Sequence, residues 1–201
     1  MYRNINSLCK FSCVVLVSLL TVSCVTETLD SPKTMKFSNA AVVSVQDPNS
    51  AILPGSTFAW LPEAVKFYQD ERLQDAPIKS LIESEILANL KAKKMLLVES
   101  VNGSSYAIAY TAALESSLDD TAIIRRFGLL PGNTQVPKDD ANVEKGTLII
   151  YVFNNKSHEV IWRSAAQVSV EFDMASAQRK ERVQRVIAEM FQTFPQQKTA
   201  E

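Results

Sequence analysis

The stretch from Gly146 to Val170 constrains the fold more than any other. Gly146 to Phe153 is an apolar run, Asn154-Asn155-Lys156-Ser157 is a turn cluster, and Glu159 to Val170 alternates again. Two extended runs joined by a short polar turn read as an antiparallel hairpin. On the returning run Val160, Trp162, Ser164, Ala166, Val168 and Val170 fall on one face. Ile161, Arg163, Ala165, Gln167 and Ser169 fall on the other, because side chains alternate along a strand. The apolar face of such a hairpin needs a cover. The segment from Ala175 to Phe194, stopped by Pro195, offers one. Its Val183, Val186, Ile187, Met190, Phe191 and Phe194 recur at helical spacing.

The rest of the chain supplies further strands and a second long helix. Ala41 to Val45 is Val-rich and reads as the first strand. Turn clusters at Asp47 to Ser50 and Pro54 to Ser56 lead into Thr57-Phe58-Ala59-Trp60-Leu61, a short aromatic strand stopped by Pro62. A helix is expected from Ala76 to Met95, with Asp75 as N-cap and Pro77 in the first turn. Its apolar face is Ile78, Leu81, Ile82, Ile86 and Leu90, and Lys91, Lys93 and Lys94 gather where the helix dipole favours cations. Leu96-Leu97-Val98 is extended, and Ser105 to Leu114 alternates with Tyr106, Ile108, Tyr110 and Leu114 on one face. Asp119-Asp120 to Phe127 reads as a short helix ended by Gly128, followed by an irregular connection from Pro131 to Lys145. The expected fold is α+β, a two-layer sandwich. Its antiparallel sheet has about five strands, with two main helices packed on one face.

Residues 1–23 stand apart. Arg3 and Lys10 precede Phe11 to Val22, which is apolar apart from hydroxyls and one Cys, and the segment holds no acid. This is the pattern of a secretory signal, and it is shorter than the roughly 20 apolar residues of a spanning helix. An uncleaved anchor helix is the alternative. Leu20-Thr21-Val22-Ser23-Cys24 resembles the bacterial lipobox, in which a small residue precedes a Cys that becomes the acylated N-terminus. Thr21 stands where that pattern prefers Leu, and Thr21 with Ser23 would also suit ordinary signal peptidase. The cysteines favour acylation. Of Cys9, Cys13 and Cys24, two lie inside the signal, so an exported chain keeps one thiol, which cannot form an internal disulfide. Acylation of Cys24 would leave no free thiol in an oxidising compartment. Residues 24–36 then read as lipidated Cys and tether, and residues 37–201 as a single α+β domain.

No catalytic signature is present. His158 is the only histidine, and it lies in the hairpin turn without a metal-ligand partner spaced to it. There is no Gly-x-Ser-x-Gly elbow and no Gly-rich phosphate loop. Asp119-Asp120 and Asp139-Asp140 lack the alternating acidic loop of a Ca²⁺ site, so one is expected to cap a helix and the other to be a solvated loop. Arg179, Lys180, Arg182 and Arg185 fit either contact with anionic headgroups or the solvated face of the last helix, and the mixed charge favours the latter. Trp60 and Trp162 fit core packing better than an acyl-chain pocket. The whole chain has a formal charge of −1, and the signal holds two of its 21 basic residues and none of its 22 acids. A slightly acidic exported domain is ill suited to neutralising nucleic-acid phosphates. Neither a metal nor a cofactor is expected.

Four stretches together resemble a known family of bacterial lipoproteins, the domain-of-unknown-function family 4136. They are Thr57 to Pro62, the helix from Ile78 to Lys94, the strand from Tyr106 to Leu114, and the run from Gly146 to Pro195. Within the last, Val160-Ile161-Trp162-Arg163-Ser164-Ala165-Ala166 looks like the family's signature strand and Phe194-Pro195 like its terminal motif. Lys94-Met95 stands where members often have Gly and an aromatic residue. The resemblance implies an α+β domain on a lipid anchor in a Gram-negative envelope, and it implies no activity. The expected function is that of a non-catalytic outer-membrane lipoprotein facing the periplasm, with an envelope protein or component as partner. By analogy with lipoprotein sorting, Val25 in place of an Asp after the Cys points to the outer membrane. The alternative is an auxiliary lipoprotein of lipid or solute transport, holding an apolar ligand between sheet and helices.

Overall fold

The computed structural model describes residues 40–73, 77–129, 131–132, 136–137 and 139–196. All of these residues fall within the compact unit Met35–Glu201. The expected signal, Cys24, the tether and the Asp75 cap lie outside the described residues. The described elements run β1 (Ala41–Gln46), β2 (Thr57–Trp60), β3 (Lys66–Phe67), α1 (Ile78–Ala92), β4 (Leu96–Leu97), β5 (Tyr106–Leu114), α2 (Asp120–Phe127), β6 (Val143–Asn154), β7 (Val160–Glu171) and α3 (Ser176–Met190).

They build one open sheet in the order β1-β7-β6-β5-β2-β4, with β3 pairing β5 as well. The expected hairpin is its centre, with β6 antiparallel to both β5 and β7. The expectation of a purely antiparallel sheet of about five strands is corrected, since the described sheet has seven strands and is mixed. β2 runs parallel to both β4 and β5, and β3 runs parallel to β5. The reason is connectivity. A parallel neighbour needs a long crossover, and α1 lies in the chain between β2 and β4 and supplies it. β3 escaped the sequence pattern because it is two residues long. Pro62 opens a 3₁₀ turn at Pro62–Ala64 that interrupts β2, and the chain then returns to β5 as Lys66–Phe67.

A bulge also corrects the face assignment on β7. Val152 pairs Trp162 while Phe153 pairs Val160, so Ile161 is the extra residue. Ile161 therefore joins Trp162 in the same core cluster, and Val160 is left exposed.

α1 and α3 pack on one face, as expected. Ile82, Ile86 and Leu90 of α1 and Val186, Ile187 and Met190 of α3 meet Phe58, Ile108, Tyr110, Ile150, Val152 and Trp162. After α3 the chain tightens into a 3₁₀ turn, Phe191–Thr193. Phe191 and Phe194 stack with ring centroids 5.4 Å apart, and each lies 5.4 Å from the Trp162 ring. α2 packs on the opposite face, where Ile123 meets Ala109, Ala113, Ile149 and Ala165. Asp119 caps α2 through a 2.7 Å bond from the Ala122 N–H, and Gly128 ends it at φ +64°.

Candidate functional site

On the face that carries α1 and α3, the helices do not cover the sheet completely. Leu148 and Val168 belong to the two central strands and face this side, yet both are only partly buried. They line a groove of about 130 Å³ closed by Phe67, Ile78, Ile82, Val183 and Val186. Gly146 keeps the floor low. A Cβ there would stand 2.5 Å from Val170 Cγ2, with Leu114 and Val168 next nearest. A cavity of roughly 150 Å³ with an apolar lining stays dry and accepts a benzene-sized guest. This groove has a comparable volume but is open on one side, so it has room for an apolar group of that size without enclosing it.

One end of the groove is polar. There β7 leaves the sheet and α3 begins, and Glu171, Met174, Arg179 and Arg182 line the space. Arg182 was expected on the solvated face of the last helix, and that expectation is corrected. Its guanidinium turns inward and Arg182 is 8% exposed. Nη1 donates to the Ser169 carbonyl at 2.6 Å, and Nη2 lies 3.1 Å from Glu171 Oε1. Arg179 is half-buried and donates through Nη2 to the Phe172 carbonyl at 3.1 Å. Arg185 and Lys180 are exposed, as the solvated-face reading requires. Helical spacing alone could not separate Arg182 from its neighbours, because its polar partners come from the end of β7.

The opposite face holds a buried polar cluster that the sequence reading missed. Lys145 Nζ lies 2.6 Å from Asp120 Oδ2 and 3.0 Å from Glu115 Oε1. Burial pulls the Lys145 ammonium down, but bonds from Asp120 and Glu115 outweigh it and hold the pKa above its ordinary value. Gln167 Nε2 donates to Asp120 Oδ1 at 2.6 Å. Arg163 Nη1 donates to the Phe127 carbonyl at 2.8 Å. The Thr111 and Tyr151 hydroxyls are 2.6 Å apart, and burial raises the Tyr151 pKa. These bonds tie both ends of α2 to β6 and β7, so the cluster is a clamp between layers. The paired acids that preceded it in the sequence thus divide, with Asp119 capping the helix and Asp120 joining the clamp.

The remaining candidates are placed simply. His158 is exposed in the β6–β7 turn at φ +60°. Asp139 and Asp140 are exposed, and Asp140 Oδ1 accepts a bond from the Asn142 N–H at 2.9 Å. Trp162 is fully buried, whereas Trp60 is partly buried with its ring 6.0 Å from that of Tyr110. Among the described residues no three His, Cys, Asp or Glu side chains converge as a metal site. No helix among them is long and apolar enough to cross a membrane.

Residues 42–196 match the family model of a domain of unknown function, DUF4136. No curated protein matches the chain. Solved structures of similar fold include the PelC dodecamer from Paraburkholderia phytofirmans. It is 9% identical, with 80% of this chain and 100% of that chain covered, at a TM-score of 0.50. A DUF4136 family protein from Bacteroides thetaiotaomicron is 14% identical, with 78% and 96% covered, at a TM-score of 0.47. At 9% identity the likeness to PelC is one of fold alone.

Proposed function

The chain belongs to the DUF4136 family, and from that premise we propose that it is a lipid-anchored envelope protein whose domain binds an apolar ligand without catalysis. The anchor is a set of acyl chains on Cys24, and the domain faces the periplasm from the outer membrane. The observation that carries the binding reading is the groove at Leu148 and Val168, apolar central-strand residues left partly open between sheet and helices. Ligand sites are concave and mostly apolar, with a few placed polar groups, and this groove has that composition. Of the two binding readings, an apolar ligand fits this geometry better than a protein partner on the same face. The anchor reading rests on Ser23-Cys24 behind the apolar segment.

The test is extraction. The full chain purified from membranes, then treated with organic solvent, should release an apolar or amphipathic molecule seen by mass spectrometry. Leu148→Trp, which fills the groove, should abolish that release while the thermal midpoint stays within a few degrees. Release unaffected by Leu148→Trp removes the groove as the site. Cys24→Ala should move the chain from the membrane to the soluble fraction or leave a longer precursor. Equal detergent partitioning and equal processed mass of wild type and Cys24→Ala would reject the anchor.

A second reading is self-assembly, favoured by Leu53, Leu96 and Leu97, which are each half-exposed or more near the β4 edge. β1 forms the other edge of the sheet, and PelC, similar in fold, is a dodecamer. Contact between unlike edges of successive copies is heterologous, the type that closes into rings. Light scattering on the full chain should then give an oligomer that Leu97→Lys dissociates. A monomer at all concentrations would remove this reading.

A further inference from the structure

We infer that the groove takes a single-chain anionic amphiphile, with its apolar tail between α1, α3 and the sheet and its acid at Arg179. The inference rests on the apolar-ligand reading above and adds the charge of the ligand. The groove is asymmetric along its length. Ile78, Ile82, Leu148 and Val186 line it with hydrocarbon, while the charged lining side chains among the described residues gather where β7 ends and α3 begins. Among the described residues, those charged groups are two guanidinium groups and one carboxylate. Glu171 is matched by Arg182, which also donates to the Ser169 carbonyl. The nearby Arg72 is matched by Asp70 at 2.7 Å and Glu144 at 2.6 Å. Among the described residues, the excess positive charge at the groove therefore falls on Arg179, whose hydrogen bond goes to the Phe172 carbonyl, a neutral acceptor. A guanidinium at the polar end of an apolar slot complements a carboxylate or phosphate monoester carried on an alkyl chain.

The half-burial of Arg179 matters to the magnitude. A charge-assisted bond at a site partly shielded from water is stronger than a neutral one and discriminates between an acid and an alcohol of equal chain length. A single such bond of about 1.4 kcal/mol corresponds to a tenfold preference. Lys180 and Arg185 lie on the same helix but are exposed, so they serve as charge-matched controls.

The experiment is calorimetric titration of the processed Cys24→Ala chain, recovered from the soluble fraction, with hexanoate, 1-hexanol and inorganic phosphate at neutral pH. Hexanoate should bind about tenfold more tightly than 1-hexanol, and inorganic phosphate alone should not bind. Arg179→Gln should erase the preference while 1-hexanol affinity stays unchanged, and Arg185→Gln should preserve it. Equal binding of hexanoate and 1-hexanol by the unaltered Arg179 would overturn the anionic head and leave the apolar groove standing. Binding of neither would overturn the groove itself. Binding of phosphate as tightly as hexanoate would mean an anion site with no role for the chain, and would overturn the proposal. Hexanoate preference unchanged in Arg179→Gln would place the acid elsewhere and also overturn it.

Discussion

Replacing Lys94 by Gly should stabilise the protein. α1 ends in a Schellman turn: the Lys94 N–H reaches the Lys91 carbonyl at 2.9 Å, and the Met95 N–H reaches the Leu90 carbonyl at 3.0 Å. Leu90 and Met95 are both buried in the core, so the hydrophobic contact that accompanies this turn is in place. The turn forces the residue between them into the left-handed region, and Lys94 sits there at φ +61°. An L-residue with a Cβ is disfavoured in that conformation by about 1–2 kcal/mol. Glycine removes that cost but loses roughly 0.5–1 kcal/mol more chain entropy on folding. The Lys94 side chain is exposed, so its loss should change stability by no more than about 0.5 kcal/mol. The balance is a gain of about 0–1.5 kcal/mol for Lys94→Gly, centred at about 0.75, which for a domain of this size raises the thermal midpoint by about 2–3 °C at that centre. The neighbouring Lys93→Gly, at φ −85°, should lower it, because the same entropy is lost with no strain relieved and the ammonium 5.7 Å from the Phe194 ring centroid is removed. Both midpoints are read from far-UV thermal melts at one scan rate. A fall in the Lys94→Gly midpoint, or equal shifts in the two variants, would refute the claim that this turn is strained.

Arg182→Met keeps the aliphatic stem over the groove but strips the Ser169 carbonyl and Glu171 of their donors. It should cost about 1–3 kcal/mol in urea unfolding, whereas Arg185→Met should stay within about 0.5 kcal/mol. Phe191→Ala removes a ring that is 1% exposed and packed on Trp162 and Phe194, and should cost about 3–5 kcal/mol. An unchanged urea midpoint would mean this aromatic cluster is not core. For acid stability, burial raises Glu144, but bonds from Ser116 and Arg72 outweigh it and hold the carboxyl below its ordinary value. Arg72 holds Asp70 low in the same way. A carboxyl depressed in the folded state stabilises above its unfolded pKa and loses that contribution as pH falls through the folded one. The urea midpoint should therefore hold from pH 7 to the ordinary Glu value of 4.5 and drop below it, and Arg72→Met should flatten that drop.

The elements that depend on near neighbours in the chain could be read from the amino-acid order. The β6–β7 hairpin, the apolar stripe of α3, the Asp119 cap and the Gly128 stop each rest on periodicity or on side chains a few residues apart. The same holds for the helical faces that meet the sheet, because Ile82, Ile86 and Leu90 recur at the spacing of one helix face. Contacts that join distant segments were decided only in three dimensions. Parallel pairing of β2 with β4 and β5 follows from where α1 crosses, and β3 is too short to carry a periodic signal. Lys145, Asp120 and Gln167 meet across three elements. Arg182 looks like Arg185 in the sequence, yet it is buried because the end of β7 brings a carbonyl and a carboxylate to it. The groove belongs to this second class. Leu148 and Val168 have the alternation of covered strand residues, and only the placement of α1 and α3 on the sheet leaves them partly uncovered, since pattern specifies which face is apolar but not how far a helix reaches across it.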